Sequence, residues 1–352
     1  MTLLLRSRLT VAAIFVFSFY SVSAQNYNFK WDGGGTNDKY ENAKNWNTDS
    51  LPAASGQHSM SLLIDQGTMI FDDLSGKQRI DQMDVNNGAV LNMKVGIFDQ
   101  SRPGNSIRSS IGTVGSGLSV VNQSGGRLSI GHMLRIGADK SRGQYNLTGG
   151  MLEVYRAGYS SMKAPHQPSI SLGSVASESD FTVSGGSLYT RAGVEVGSNA
   201  KFSVLGSGAT AIGIGSVKEE NSGAWYQEGT LSCGVGPRGI TKIYVAGGDK
   251  KDQFVRFAKG SKLDLHFHGT RPINGSWVLM ELEGVDIVNE GLEFSEATLE
   301  TPGWTVEIDN SGSNGRLIAK YSHYVEVPEV SQYSLILSLL LGVCVLGRRR
   351  RT

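Results

Sequence analysis

A Gly-Gly pair, one variable residue and a leucine recur three times, as Gly125-Gly126-Arg127-Leu128, Gly149-Gly150-Met151-Leu152 and Gly185-Gly186-Ser187-Leu188. Between them stands a second mark, two apolar residues one apart and then glycine: Leu134-Arg135-Ile136-Gly137, Ile170-Ser171-Leu172-Gly173 and Val194-Glu195-Val196-Gly197. The Gly-Gly pairs lie 24 and then 36 residues apart, one plain unit followed by a unit with a 12-residue insertion. Self-similarity at a fixed period marks a chain that stacks short units, each burying its neighbour's apolar face. It constrains architecture far more than activity.

The units read as strands rather than helices. Tyr145 and Leu147 flank Asn146, and Phe181 and Val183 flank Thr182, an alternation that puts every second side chain on one face of a strand. Each run ends in glycine, which supplies the positive-φ turn that a β-branched residue adopts only at a cost. A circuit of this length is about 80 Å around at ~3.3 Å per residue, and stacked circuits sit ~4.8 Å apart. An antiparallel sandwich also spaces its strands at intervals of this order. The regular 12-residue half-period favours an all-β fold of the right-handed parallel β-helix kind. Glu228-Gly229-Thr230-Leu231 is a worn copy of the Gly-Gly mark, so the solenoid is expected to reach about Val245.

Six of the 33 Lys and Arg residues (Arg6, Arg8 and Arg348 to Arg351) lie in the two termini, leaving 27 basic against 32 acidic side chains between them. That mildly acidic body excludes the basic patch that nucleic acid requires. Of two cysteines, Cys233 lies in the body and Cys344 in an apolar run, so no disulfide is expected. Stacking and burial must hold the fold.

In order, residues 1–24 read as a secretory signal: Arg6 and Arg8, an apolar run from Leu9 to Tyr20, then small residues ending at Ala24, with Gln25 first after cleavage. No Arg-Arg pair precedes the run, which points to the general secretory route. Residues 25–60 suit an N-terminal cap, since an open solenoid end exposes unpaired backbone. Trp31 and Trp46 would either pack inside that cap or stack on carbohydrate. Residues 61–249 hold the β-helix repeats. Residues 250–322 lose the Gly-Gly pairs, carry denser charge and read as a small C-terminal antiparallel β cap, with Lys262 to Phe267 as its first strand.

On that strand Asp264, His266 and His268 share the polar face, a pattern that can hold a zinc-type metal or simply meet solvent. With no fourth ligand in view, no metal and no cofactor is assigned. A β-helix polysaccharide lyase or hydrolase needs converging acids, or a base with a neutralising cation. The strand-borne candidates are Glu153, Arg156, Arg191 and Glu195, scattered among Ser, Thr and Asn. A glycan-binding module would use the loop aromatics Tyr155, Tyr159, Trp225 and Tyr226.

Residues 323–332 form a linker containing Pro328-Glu329-Val330, and residues 333–352 carry the largely apolar run Ser334 to Gly347 followed by Arg348, Arg349, Arg350 and Arg351. The 14 residues of that run span about 21 Å as a helix, marginal against a ~30 Å hydrocarbon core. The arginines favour a cytoplasmic C-terminus. A Pro-Glu motif, a short apolar helix and a terminal arginine cluster, paired with a signal peptide, resemble the PEP-CTERM sorting signal of Gram-negative bacteria. The body is similar to autotransporter-like and pectin-lyase-like β-helix regions, including an opening with Trp31, Gly33-Gly34, Asn45-Trp46 and Pro52.

This resemblance implies an inner-membrane intermediate anchored by a single C-terminal transmembrane helix. An exosortase-type membrane processing enzyme would act near Pro328-Glu329, and the body would be delivered to the cell surface or extracellular matrix. Val330 stands where the family has a second proline, which leaves the processing point open. Exopolysaccharide is a further partner the family implies. The expected role is structural or interactive and non-enzymatic, with a glycan-binding adhesin as the alternative.

Overall fold

The computed structural model describes residues 27–52, 60–72, 77–100, 108–138, 140–155, 168–173, 176–215, 223–246, 254–269, 271–284 and 286–323. Their regular structure is nearly all strand; the only helical turns among them are a 3-10 turn at Ala43–Asn45 and a four-residue α-turn at Glu296–Leu299. The strands form a ten-stranded sheet and a 17-stranded sheet, and pairing is parallel over most of both. The arrangement is compatible with a β-solenoid.

Each circuit crosses the ten-stranded sheet once and the larger sheet twice. Leu134–Ile136 lies in the first, and Arg142–Val154 crosses both faces of the second. The early half of that long strand pairs with Leu118–Gln123 and its late half with Arg127–Ile130. The ten-stranded sheet is therefore one face, and the 17-stranded sheet supplies a second and a third.

Alternation sets the register. On the first face Leu134, Ile170, Val194, Trp225, Val255 and Ile287 follow one another in line, each buried. Ile136, Leu172 and Val196 form a second buried column, and the residues between point outward. Each such aliphatic side chain contributes about 1.5–3 kcal/mol by burial. On the second face Tyr145, Phe181 and Phe202 stack at 5.1 Å with interplanar angles of 6° and 4°, and Trp225 meets Phe202 edge-on at 5.0 Å. The ring spacing matches the ~4.8 Å strand spacing, so one aromatic per circuit fills the interior without gaps.

The Gly-Gly pairs form the corner between the second and third faces. A Cβ on Gly149 would stand 2.3 Å from the Ser124 carbonyl oxygen, and Gly150 has φ +76°. One glycine of the pair admits the neighbouring circuit's backbone and the other makes the turn. This is the physical content of the repeat.

The N-terminal end is closed by aromatic rings. Trp31 and Trp46 are buried and meet edge-on at 5.2 Å, and Tyr40 joins Trp46 to Phe71. Trp46 Nε1 donates to the Tyr40 carbonyl at 2.9 Å. Both tryptophans are therefore core residues and offer no ring to a carbohydrate. Asn47 exchanges two hydrogen bonds with the Lys30 backbone and so covers the outer edge of Phe29–Trp31.

The far end differs from the expected antiparallel cap over 250–322. Phe254–Phe257, Lys262–Phe267, Ile287–Asn289 and Glu293–Phe294 all pair in parallel with the preceding circuits, so the parallel stack runs well past Val245 to Phe294. Antiparallel pairing is confined to Gly275–Glu283, Trp304–Asp309 and Asn314–Tyr321. The Gly-Gly corners lapse here, but the buried alternation that sets register persists at Val255, Phe257, Leu263 and Leu265. A second aromatic group, Phe267, Trp277, Trp304 and Tyr321, closes this end.

Cys233 is buried and unpaired, and burial pushes its thiol far above the ordinary range. No helix among the described residues is long and apolar enough to cross a membrane. The Ser334 to Gly347 run lies outside the described residues.

Candidate functional site

With every second side chain committed to the interior, the chemistry available among the described residues lies in the outward rows. On the first face one row reads Arg135, Ser171, Glu195, Tyr226, Arg256. Glu195 is half-buried; burial first, and then the neighbouring Glu228, hold its pKa above the ordinary value, while Arg135 and a hydrogen bond from Ser171 oppose the shift. Tyr226 donates to Glu228 at 2.8 Å, and Arg256 pairs with Glu290 at 2.5 Å.

The third face carries a denser network. Glu153 Oε2 accepts from Arg127 Nε at 2.7 Å, from the Tyr155 hydroxyl at 2.7 Å and from Ser129 at 3.2 Å. Arg127 also donates to Tyr155 Oη at 3.2 Å, and the Arg191 guanidinium lies 4.6 Å above the Tyr155 ring. Burial alone would lower the Arg127 pKa, but the hydrogen bonds to Tyr155 and Glu153 outweigh it and hold it up. Burial, and next the bond to Glu153, raise that of Tyr155. Such charge-assisted contacts fix side chains that would otherwise sample many rotamers.

Following Glu153 across the strands, the outward row continues through Tyr189, Gly213, Tyr244 and Glu281. Tyr189 is 41% exposed. Tyr244 donates to Glu283 at 2.7 Å; burial and that bond push its pKa up to about 12. Glu281 is held by Lys242, by Asn314 at 2.9 Å and by Arg316 at 3.5 Å. These hydrogen bonds, led by Lys242, keep its carboxyl below the ordinary range.

The second face holds the His-x-His strand. Asp264 Oδ2 accepts from Lys201 at 2.8 Å and Ser232 at 2.9 Å, and Oδ1 from Ser295 at 3.0 Å. Burial works against its ionisation but is outweighed by Lys201 and the hydroxyls, so its pKa lies below the usual value. Burial lowers that of His266. Lysine thus supplies the positive charge that a metal ion would bring to Asp264. No group of three or more metal-ligating side chains occurs among the described residues.

The structure brings Glu153 and Arg191 together through Tyr155 but separates both from Glu195, which stands on another sheet. Arg156 and Tyr159 lie outside the described residues. Trp225 belongs to the core, whereas Tyr155 and Tyr226 sit in outward networks. Arg127, Tyr189, Tyr244, Glu281 and Glu283 went unread in the sequence; their signal is the outward phase of each strand combined with the cross-strand register. Ala24, Gln25, Pro328, Glu329 and Arg348 to Arg351 all lie outside the described residues.

Comparison with family models, with curated proteins and with solved structures finds no match to this chain.

Proposed function

We propose that the chain is a secreted, exosortase-sorted surface protein of a Gram-negative bacterium, with a structural or interaction role in the extracellular matrix and no catalytic one. The observation that carries this reading is the pairing of two address segments. One is a signal peptide ending at Ala24-Gln25; the other is a tail with Pro328-Glu329, a single apolar transmembrane run and Arg348 to Arg351. The body between is taken as a right-handed parallel β-helix with a small antiparallel cap. A rigid all-β body closed by aromatic clusters at both ends supports such display, because covered edges resist edge-to-edge aggregation outside the cell. The non-enzymatic reading is supported by Glu153 and Glu195 lying on separate faces, and by the full set of donors that Glu153 already accepts from.

In this account the protein leaves by the general secretory route and is held in the inner membrane by its tail. An exosortase-type enzyme then processes it near Glu329, and the body meets exopolysaccharide at the surface. Mass spectrometry of the surface fraction tests it. The expected peptides begin at Gln25 and end near Glu329. Intact peptides running through Leu346 would make the tail a permanent anchor and end the processing claim.

A further inference from the structure

The outward row of the third face combines ring, gap and ring. Tyr189 is the one aromatic side chain among the exposed large hydrophobic residues described. Its ring leans over Gly213, where a Cβ would come within 3.1 Å of Cδ1 and 3.4 Å of Cε1. Glycine at this position leaves that space to the ring. Tyr244 follows on the next strand, two strand spacings from Tyr189, or about 10 Å. That distance is comparable with the repeat of an extended disaccharide.

Both ends of the row are polar and already organised. Glu153 is fixed by Arg127 and Tyr155, and Glu281 by Lys242 and Asn314, while Glu283 accepts from Tyr244. The charges along the row nearly balance, Glu153, Glu281 and Glu283 against Arg127, Arg191, Lys242 and Arg316, so the strip presents no strong field for a polyanion. A peptide partner would want an apolar groove or an open strand edge, and these strands are paired on both sides. Rings with an apolar face, flanked by rigid donors and acceptors, suit a ligand that is itself apolar on its face and hydroxylated at its rim.

The geometry points to a binding strip for a neutral, extended polysaccharide on the third face, with Tyr189 and Tyr244 as the stacking residues and the Glu153 and Glu281 networks as positioning groups. The inference rests on the surface-display reading for its biological setting only, since binding and sorting are measured separately.

The experiment uses the full-length protein in detergent, titrated calorimetrically with cellohexaose and mannohexaose as neutral probes and with polygalacturonate as an anionic one. The expected result is binding of at least one neutral probe. Tyr189→Ala should weaken it tenfold or more, Tyr189→Ala with Tyr244→Ala should abolish it, and Tyr189→Phe, which keeps the ring, should leave it within about threefold. Val288→Ala, exposed on the first face, is the control and should change nothing. Thermal melts of the Tyr189 variants should coincide with that of the parent, and the double variant, which also loses the Tyr244 bond to Glu283, should still unfold in one cooperative step at a slightly lower temperature. Failure of both neutral probes to bind, preference for polygalacturonate, or undiminished binding by the double variant would overturn the strip. Loss of binding would leave the surface-fraction peptides unchanged, and an unprocessed tail in those peptides would leave binding by the strip unchanged.

Discussion

Gly185 lies against the preceding circuit so closely that a Cβ on it would stand 2.1 Å from the carbonyl oxygen of Thr148. The neighbour is backbone within a paired strand and cannot swing away. Gly185→Ala must therefore push two circuits apart at the corner, and we expect a loss of about 3 kcal/mol, the scale of overpacking in a closed interior. Gly312, with only the Asn314 nitrogen at 4.0 Å and no positive φ, is the matched control. Urea denaturation of both variants checks the claim; equal midpoints would show that the corner gives way freely.

Val194 sits in line between Ile170 and Trp225, buried on the inner side of the first face. Val194→Asp places a carboxylate among aliphatic and aromatic side chains with no cation in the column. The expected cost is about 4 kcal/mol or more, in the range reserved for unpaired buried charge. An outward position on the same face offers the contrast, because the same change at Val288, 46% exposed, meets solvent. A melting temperature unchanged in Val194→Asp would mean the column is not closed.

How much of this was readable beforehand depends on whether the signal was local. The buried places of Leu134, Ile136, Val194 and Val196 and the glycine corners follow from alternation and a repeat mark counted along the chain, although the four residues divide into two columns, Leu134 with Val194 and Ile136 with Val196, and do not form one. The far end was misread because the Gly-Gly mark lapses after residue 229, while Val255 and Phe257 carry the columns on without it. Circuit length also varies along the chain: the steps from Val194 to Trp225, Val255 and Ile287 are 31, 30 and 32 residues, against 36 from Leu134 to Ile170 and 24 from Ile170 to Val194. Without an even period, Tyr244 cannot be counted into register with Tyr189. The Arg127, Glu153, Tyr155 network is hidden for a related reason, since it joins side chains of two successive circuits on neighbouring strands of the third face. Alternation puts Asp264, His266 and His268 on one polar face, but Lys201, which bonds Asp264, lies two strands away.

Glu195 gives a pH signature. Burial and Glu228 raise its pKa in the folded protein above its unfolded value, so the native state holds the proton more tightly. The stability this contributes is present at low pH and is lost as pH rises from the ordinary carboxylate range through the folded value. At neutral pH the ionised side chain is a net cost. Glu195→Gln should therefore raise the melting temperature at pH 7, and the gain should shrink towards pH 4. A gain that grows on acidification would reverse the sign and show that Arg135 and Ser171 dominate the site.

The tail supplies the last prediction. The Ser334 to Gly347 run, about 21 Å as a helix, is short against a ~30 Å hydrocarbon core, so apolar length alone holds it weakly. On the proposed sorting reading, each of Arg348, Arg349, Arg350 and Arg351, set near an anionic cytoplasmic leaflet, would contribute ~1 kcal/mol, so the block would add about 4 kcal/mol towards keeping the C-terminus inside. On the same proposed reading, Pro328 would disfavour helix in the residue before it and so suit a segment that a processing enzyme must reach. Replacing all four arginines with alanine removes the electrostatic retention while leaving the apolar run and Pro328-Glu329 intact. The expected outcome is loss of the body from the surface fraction and accumulation of unprocessed chain, read by immunoblot of fractionated cells. Replacing them with lysine, which preserves the charge, should restore sorting. Sorting that fails equally with lysine would mean the arginines are read by shape rather than by charge, and sorting that survives alanine would remove them from the signal altogether.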